Sequence, residues 1–189
     1  MKIYIARHGR TNYNDLGLCN SDPSVDVHLT AAGIQQAKAL GEKLKDTVLD
    51  QIYVSELKRT QQTADLLEKF GVPVAIDPRL NDNHTGFEGK PASEYYDALN
   101  AARDKWNTRF KDGESVEDIN KRVRSFVDEL RLLEYGAVLI ITSEVIVQAL
   151  YGVLNNLSNE EARSLHVEQG GYIELSLDGG GIIPPHPLV

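Results

Sequence analysis

Apolar and polar positions alternate along this chain in two periods, and the two take turns. "KIYIA" (2–6) is a β-branched, apolar run bounded by polar residues, which predicts a buried strand. "QIYV" (51–54), "VPVAI" (72–76) and "AVLII" (137–141) predict three more. Pro73 pushes the third towards a sheet edge, because proline cannot donate to a ladder. "YIELSL" (172–177) alternates apolar with polar, as a less buried strand does.

Helical spacing fills the intervals. Thr30 is a good N-cap for a helix over about 31–45 that places Ile34, Ala37, Leu40 and Leu44 on one side. Ser55 is expected to cap a helix running to about 70, and a further helix is expected over about 92–105. Ser115 and Asp118 have the spacing of a capping box, and Val116, Ile119, Val123, Phe126, Leu130 and Leu133 keep the helical period as far as Gly136. Helices over about 144–155 and 159–165 complete the set. The stretches from Arg7 to His28 and over 78–92 read as loops.

Strands alternating with helices imply an α/β fold: a three-layer α/β/α arrangement around a mostly parallel sheet. One domain over 1–177 is expected, followed by a Gly- and Pro-rich tail over 178–189 that reads as an extended arm or disordered. In such sheets the ligand crevice lies beyond the carboxyl ends of the strands. That rule selects the segments after Ala6, Val54 and Ile141 before any motif is considered.

Composition narrows the partners. Apolar residues make up 41% and charged residues 25%, a soluble balance, and no apolar run has the length of a membrane-spanning helix. Met1 leads straight into a run too short for a signal peptide, and the single Cys19 has no internal disulfide partner, so a cytoplasmic setting is expected. The net charge of −8 argues against nucleic acid or an anionic membrane surface as partner. An anionic ligand would need a local cluster of positive groups.

The selected strand ends supply one. "RHGRT" (7–11) follows the first strand, "SELKRTQQTA" (55–64) puts Arg59 in the first turns of a helix, and the loop "RLNDNHTGFEG" (79–89) carries Asp82, His84 and Glu88. Each alone reads as an ordinary surface feature; together they suit phosphoryl transfer through a phosphorylated side chain. A neutral imidazole attacks phosphorus, guanidinium forks bind the equatorial oxygens, and a carboxylic acid supplies the proton for the departing alkoxide. No metal or other cofactor is called for, and the five histidines show no ligand spacing.

Six segments in order carry a resemblance: "RHGRTNYN" (7–14), "LTAAGIQQA" (29–37), "SELKRTQQTA" (55–64), "LNDNHTGFEG" (80–89), "DGESVEDINKRV" (112–123) and "AVLIITSEVIVQAL" (137–150). The chain resembles the histidine phosphatase superfamily, in the branch of the cofactor-dependent phosphoglycerate mutases and related small phosphatases. The resemblance implies a phosphoglycerate mutase-like fold, His8 as the nucleophile, and Arg7, Arg59 and Asn14 as ligands of the phosphoryl group. It implies Asp82 as proton donor, one methylene shorter than the family's glutamate, with Glu88 as a fallback. His84 is as well placed to touch substrate as to be solvated.

At one position the resemblance fails. "TS" stands where the family has a Ser or Thr followed by a second histidine, so Ser143 occupies a site that normally binds phosphate, and Glu144 follows where glycine is frequent. Ser143 is also a favoured N-cap, a role that needs no phosphate. Three accounts fit it: weakened catalysis, a protein that binds phosphorylated ligands without turnover, or an engineered exchange. The other retained groups favour impaired chemistry. The expected ligand is a small phosphorylated metabolite, and the short chain favours hydrolysis over mutase action. A homodimer is open.

Overall fold

The computed structural model describes residues 1–69 and 71–177, so the predicted tail over 178–189 lies outside the described residues. Five strands form one sheet: β1 (Lys2–Arg7), β2 (Gln51–Val54), β3 (Val74–Ile76), β4 (Ala137–Thr142) and β5 (Tyr172–Ser176). Their spatial order is β3-β2-β4-β1-β5. The β3-β2, β2-β4 and β4-β1 pairings are parallel, while β5 runs antiparallel along β1. β3 and β5 are the two edges, which explains the alternating pattern of β5 and the tolerance of Pro73 beside β3. Pro73 contributes only its carbonyl, which accepts from Ile52 N and Gln51 Nε2.

The sheet divides two apolar layers. Ile3 and Ile5 join Val138 and Ile140 against α5 (Val116–Leu130) and α6 (Glu144–Asn155). Tyr4 and Ala6 join Ile52, Val54, Leu139 and Ile141 on the other face, against α2 (Ala31–Lys43) and α3 (Lys58–Asp65). Every residue of central β4 is buried. This is the three-layer α/β/α arrangement that the alternating periods imply. Two short helices, α1 (Asn12–Leu16) and α7 (Asn159–Arg163), and α4 (Ala92–Ala101) complete the set. Among the described residues no helix is long and apolar enough to cross a membrane.

Several boundaries differ from the sequence expectation, each for a local reason. Ser55 does not cap α3. Its Oγ accepts from Leu57 N at 3.2 Å and pairs with Thr60 Oγ1 at 2.8 Å, forming a turn that delays the helix to Lys58. α3 stops at Asp65 instead of about 70, and the chain turns back through Glu68 at φ 55° and Gly71 at φ 86°. α1 lies in a stretch whose composition reads as loop; it is one short helix built by a capping box between Thr11 and Asn14, with no buried face to give an apolar period. α4 ends where Ala102 turns extended, and α5 ends at Leu130. The capping box of Ser115 with Asp118 and the Thr30 cap form as read.

The strand register fixes the working end. Arg7 pairs with Thr142, and Val54 pairs with Ile141, so the three segments that follow these strands leave the sheet at one level. Thr142 Oγ1 donates to Leu80 O at 2.7 Å, which brings the loop carrying Asp82 to the same rim.

Candidate active site

A cavity of about 330 Å³ opens at this rim, and its wall includes Arg7, His8, Asn14, Arg59, Asp82, Ser143 and Glu144. Segments as far apart along the chain as those of Arg7 and Glu144 therefore meet at one place.

His8 is 4% exposed. Its Nδ1 lies 2.7 Å from Gly9 O, and a carbonyl oxygen only accepts, so Nδ1 carries the proton and Nε2 keeps its lone pair. Burial, and then the charge of Arg59, push the imidazole's pKa down to about 3. The ring is neutral at any ordinary pH, the form a nucleophile needs. Gly9 is required by close approach: a Cβ there would strike the Gly33 carbonyl at the start of α2.

Arg59 is buried in the first turn of α3 and spends its fork on two partners. Nη1 donates to Asn20 Oδ1 and Nη2 to Asn20 O, both at 2.9 Å, and Nη2 pairs with Asp82 Oδ2 at 2.9 Å. Arg7 donates from Nη1 to Val167 O at 2.9 Å and pairs with Glu144 Oε2 at 2.8 Å. Its Nε is buried with no partner among the described residues, a donor that an oxyanion oxygen would satisfy.

Asp82 is fully engaged. Besides Arg59, it accepts at Oδ1 from Asn83 N at 2.8 Å and from Ser143 Oγ at 2.6 Å. Ser143 stands at the N-cap position of α6 with extended backbone, yet its side chain makes no cap bond. The hydroxyl turns away from the helix to bind Asp82. Ser143 therefore occupies the N-cap position read from the sequence, but the rotamer that lets its hydroxyl donate to Asp82 leaves the oxygen without a first-turn amide to accept from.

Asn14 lines the cavity, but its Oδ1 is committed to the cap of α1, accepting from Thr11 N and Thr11 Oγ1. The amide NH₂ is the end left for an anion. Glu144 also lines the cavity and is held from behind by His166, whose Nδ1 lies 2.6 Å from Oε1. That bond, and a second to Glu168, raise the pKa of His166 above its ordinary value.

His84 and Glu88 are placed elsewhere. His84 Nδ1 meets Ser21 Oγ at 2.9 Å in an adjacent hollow, and Glu88 accepts from Ser21 N at 2.7 Å. Neither lines the main cavity, whereas Asp82 does. The loop has folded Glu88 into its own scaffold.

Two contributors, Asn20 and Arg122, are not singled out by the sequence, and Cys19 and the tyrosines of α4 read there as an unpaired cysteine and as core and surface residues of a covering helix. Asn20 orients Arg59, Cys19 forms part of the wall with its thiol pKa raised by burial, and Tyr95 and Tyr96 close the side over α4. Arg122 braces the acid loop through Arg79 O and Glu114. A spare Asn in a polar loop gives no periodic signal, so Asn20 could be found only in three dimensions.

The arrangement offers a neutral imidazole, two guanidinium groups and a carboxyl around one opening. The histidine phosphatase superfamily (branch 1) model matches residues 3–184. A crystal structure of the alpha-ribazole phosphatase from Shigella flexneri superposes with a TM-score of 0.82 at 29% identity, covering 93% of this chain and 90% of that one. A mycobacterial glucosyl-3-phosphoglycerate phosphatase solved with VO3 gives a TM-score of 0.77 at 28% identity, covering 93% and 92%. The fructose-2,6-bisphosphatase TIGAR B of Danio rerio is 31% identical over 187 residues, 93% of this chain and 72% of its own. With a family match over nearly the whole sequence and phosphatases among its relatives, the chain belongs to the histidine phosphatase superfamily.

Proposed function

We propose that this protein is a phosphomonoester hydrolase acting through a phosphohistidine on His8, with its rate limited by Ser143. The observation that carries the reading is the state of His8: buried, neutral, protonated on Nδ1 by its bond to Gly9 O, and sharing a cavity with Arg7 and Arg59. Nε2 attacks phosphorus and the P–O bond to the alcohol breaks. Arg7, Arg59 and the Asn14 amide hold the phosphoryl oxygens, and Asp82 takes the proton that arrives with the phosphomonoester monoanion and passes it to the leaving oxygen. Water then attacks the phosphohistidine, Asp82 takes up a proton from it, and phosphate leaves. Nothing in this sequence of steps calls on a metal or a cofactor. The relatives, named for different phosphorylated substrates, support the reaction class and leave the alcohol open.

Ser143 weakens this machinery in two ways. Its hydroxyl is a short neutral donor where an imidazole would reach the phosphoryl group, and it binds Asp82 instead. Losing one such preorganised donor costs about 10²–10³ in rate. Ser143→His is therefore expected to raise kcat on a generic aryl phosphate by about 10²–10³, with KM changing much less. The pairing of Arg7 with Glu144 and of Arg59 with Asp82 favours a second reading, a protein that binds phosphorylated ligands without turnover. Absence of turnover in both the parent and Ser143→His would select it.

A further inference from the structure

The cavity's charge is already balanced. Among the described residues that line it, the cations are Arg7 and Arg59 and the anions are Asp82 and Glu144. Each guanidinium meets one carboxylate, at 2.8 Å for Arg7 with Glu144 and 2.9 Å for Arg59 with Asp82. The wall beyond them is neutral, with Tyr13, Leu18, Val27, Tyr96 and Val145. Among the described residues, no lysine and no third arginine lines it.

A phosphoryl dianion would use both guanidinium groups. A second acidic group on the same ligand would then find no unused cation in the cavity wall, the guanidinium of Arg163 lying in the adjoining hollow beyond Val145 and Gln148, and it would face the Glu144 carboxylate in a partly enclosed site where like charges repel strongly. Glu144 has little freedom to withdraw. Its Oε2 is held by Arg7, its Oε1 by His166 Nδ1 at 2.6 Å, and His166 is itself anchored by Glu168 at 3.1 Å. Its place at the start of α6, directly after the buried Ser143, fixes the side chain's root as well.

We propose that this cleft takes phosphomonoesters of neutral or amine-bearing alcohols, and that Glu144 is the residue that excludes ligands with a second acidic group. The proposal rests on the reading of the cleft as a phosphoryl site. It separates bisphosphates and phosphorylated carboxylic acids from the ligands that this chain accepts. A neutral alcohol packs against the tyrosine and aliphatic wall, and an ammonium group gains from Glu144.

Binding of phosphonates tests this without depending on turnover, because their C–P bond is not hydrolysed. Propylphosphonate, 3-aminopropylphosphonate and 3-phosphonopropionate share one anionic head and differ in the charge of the tail. Titration calorimetry of the full chain, at a mildly alkaline pH where the heads are dianionic, should show the first two binding at least about tenfold tighter than the third. In Glu144→Gln that gap should close to within about threefold, and Glu144→Ala should close it likewise. Equal or tighter binding of 3-phosphonopropionate by the parent would overturn the proposal. So would a gap that survives in both variants, including a uniform tightening of all three ligands, which would make Glu144 only a mask on Arg7. Binding of none of them would remove the phosphoryl site itself, a failure of the underlying reading that these arms distinguish.

Discussion

His8→Ala is expected to lower turnover by about 10⁴-fold or more, because removal of a nucleophile leaves only the contribution of binding and charge stabilisation. No other group of the cavity can replace it. Cys19 is held as a thiol by burial, and the Ser143 hydroxyl donates to an Asp82 carboxylate that is itself committed to Arg59 and Asn83 N. The variant should also change the pH dependence of folding. The imidazole has a pKa of about 3 in the folded protein against an ordinary 6.5, so between those values the unfolded chain binds a proton that the folded chain does not. Stability contributed at this position is therefore lost as pH falls from 6.5 towards 3, and His8→Ala should flatten that part of the profile. Urea melts across this range, with turnover measured on the same preparations, check both statements. Turnover within tenfold of the parent would move the nucleophile elsewhere.

Arg59→Ala is expected to reduce kcat/KM by about 10³–10⁵, the range for an arginine that offsets charge on a transferring phosphoryl group. The same guanidinium also holds the site together, since it binds Asn20 twice and Asp82 once. Its removal leaves Asp82 with Asn83 N and Ser143 alone. Breaking a fully buried ion pair costs about 3–5 kcal/mol, and the cost here should be smaller, because the Asp82 side chain is 25% exposed. Arg59→Lys keeps the charge and loses the fork, so it cannot serve Asn20 and Asp82 together. It should recover most of the stability and little of the rate. Recovery of both by lysine would show that Arg59 acts as a simple charge.

The parts of this site that could be read from the sequence are those that sit on regular elements. Arg7 and His8 end a strand whose apolar period is unambiguous, and Arg59 follows another within two turns of chain. Their convergence follows from the rule that parallel strands present their carboxyl ends on one rim. The parts that could not be read depend on side-chain direction or on loops. Ser143 was correctly placed before α6, but the turn of its hydroxyl towards Asp82 depends on a loop 61 positions away, held there by Thr142 and Leu80. The network from Arg7 through Glu144 to His166 joins three segments that carry no common period. Boundaries failed where one local bond outweighed propensity, as at Ser55, or where a capping box built a helix too short to show a pattern, as at α1.

Rapid acid-free quenching during turnover of an aryl phosphate, followed by peptide mapping of the bound phosphoryl group, tests the central claim most directly. A phosphoryl group on the imidazole of position 8, lost on mild acid treatment, is the predicted result. Turnover with no labelled peptide, or with the label on any other side chain, would contradict it.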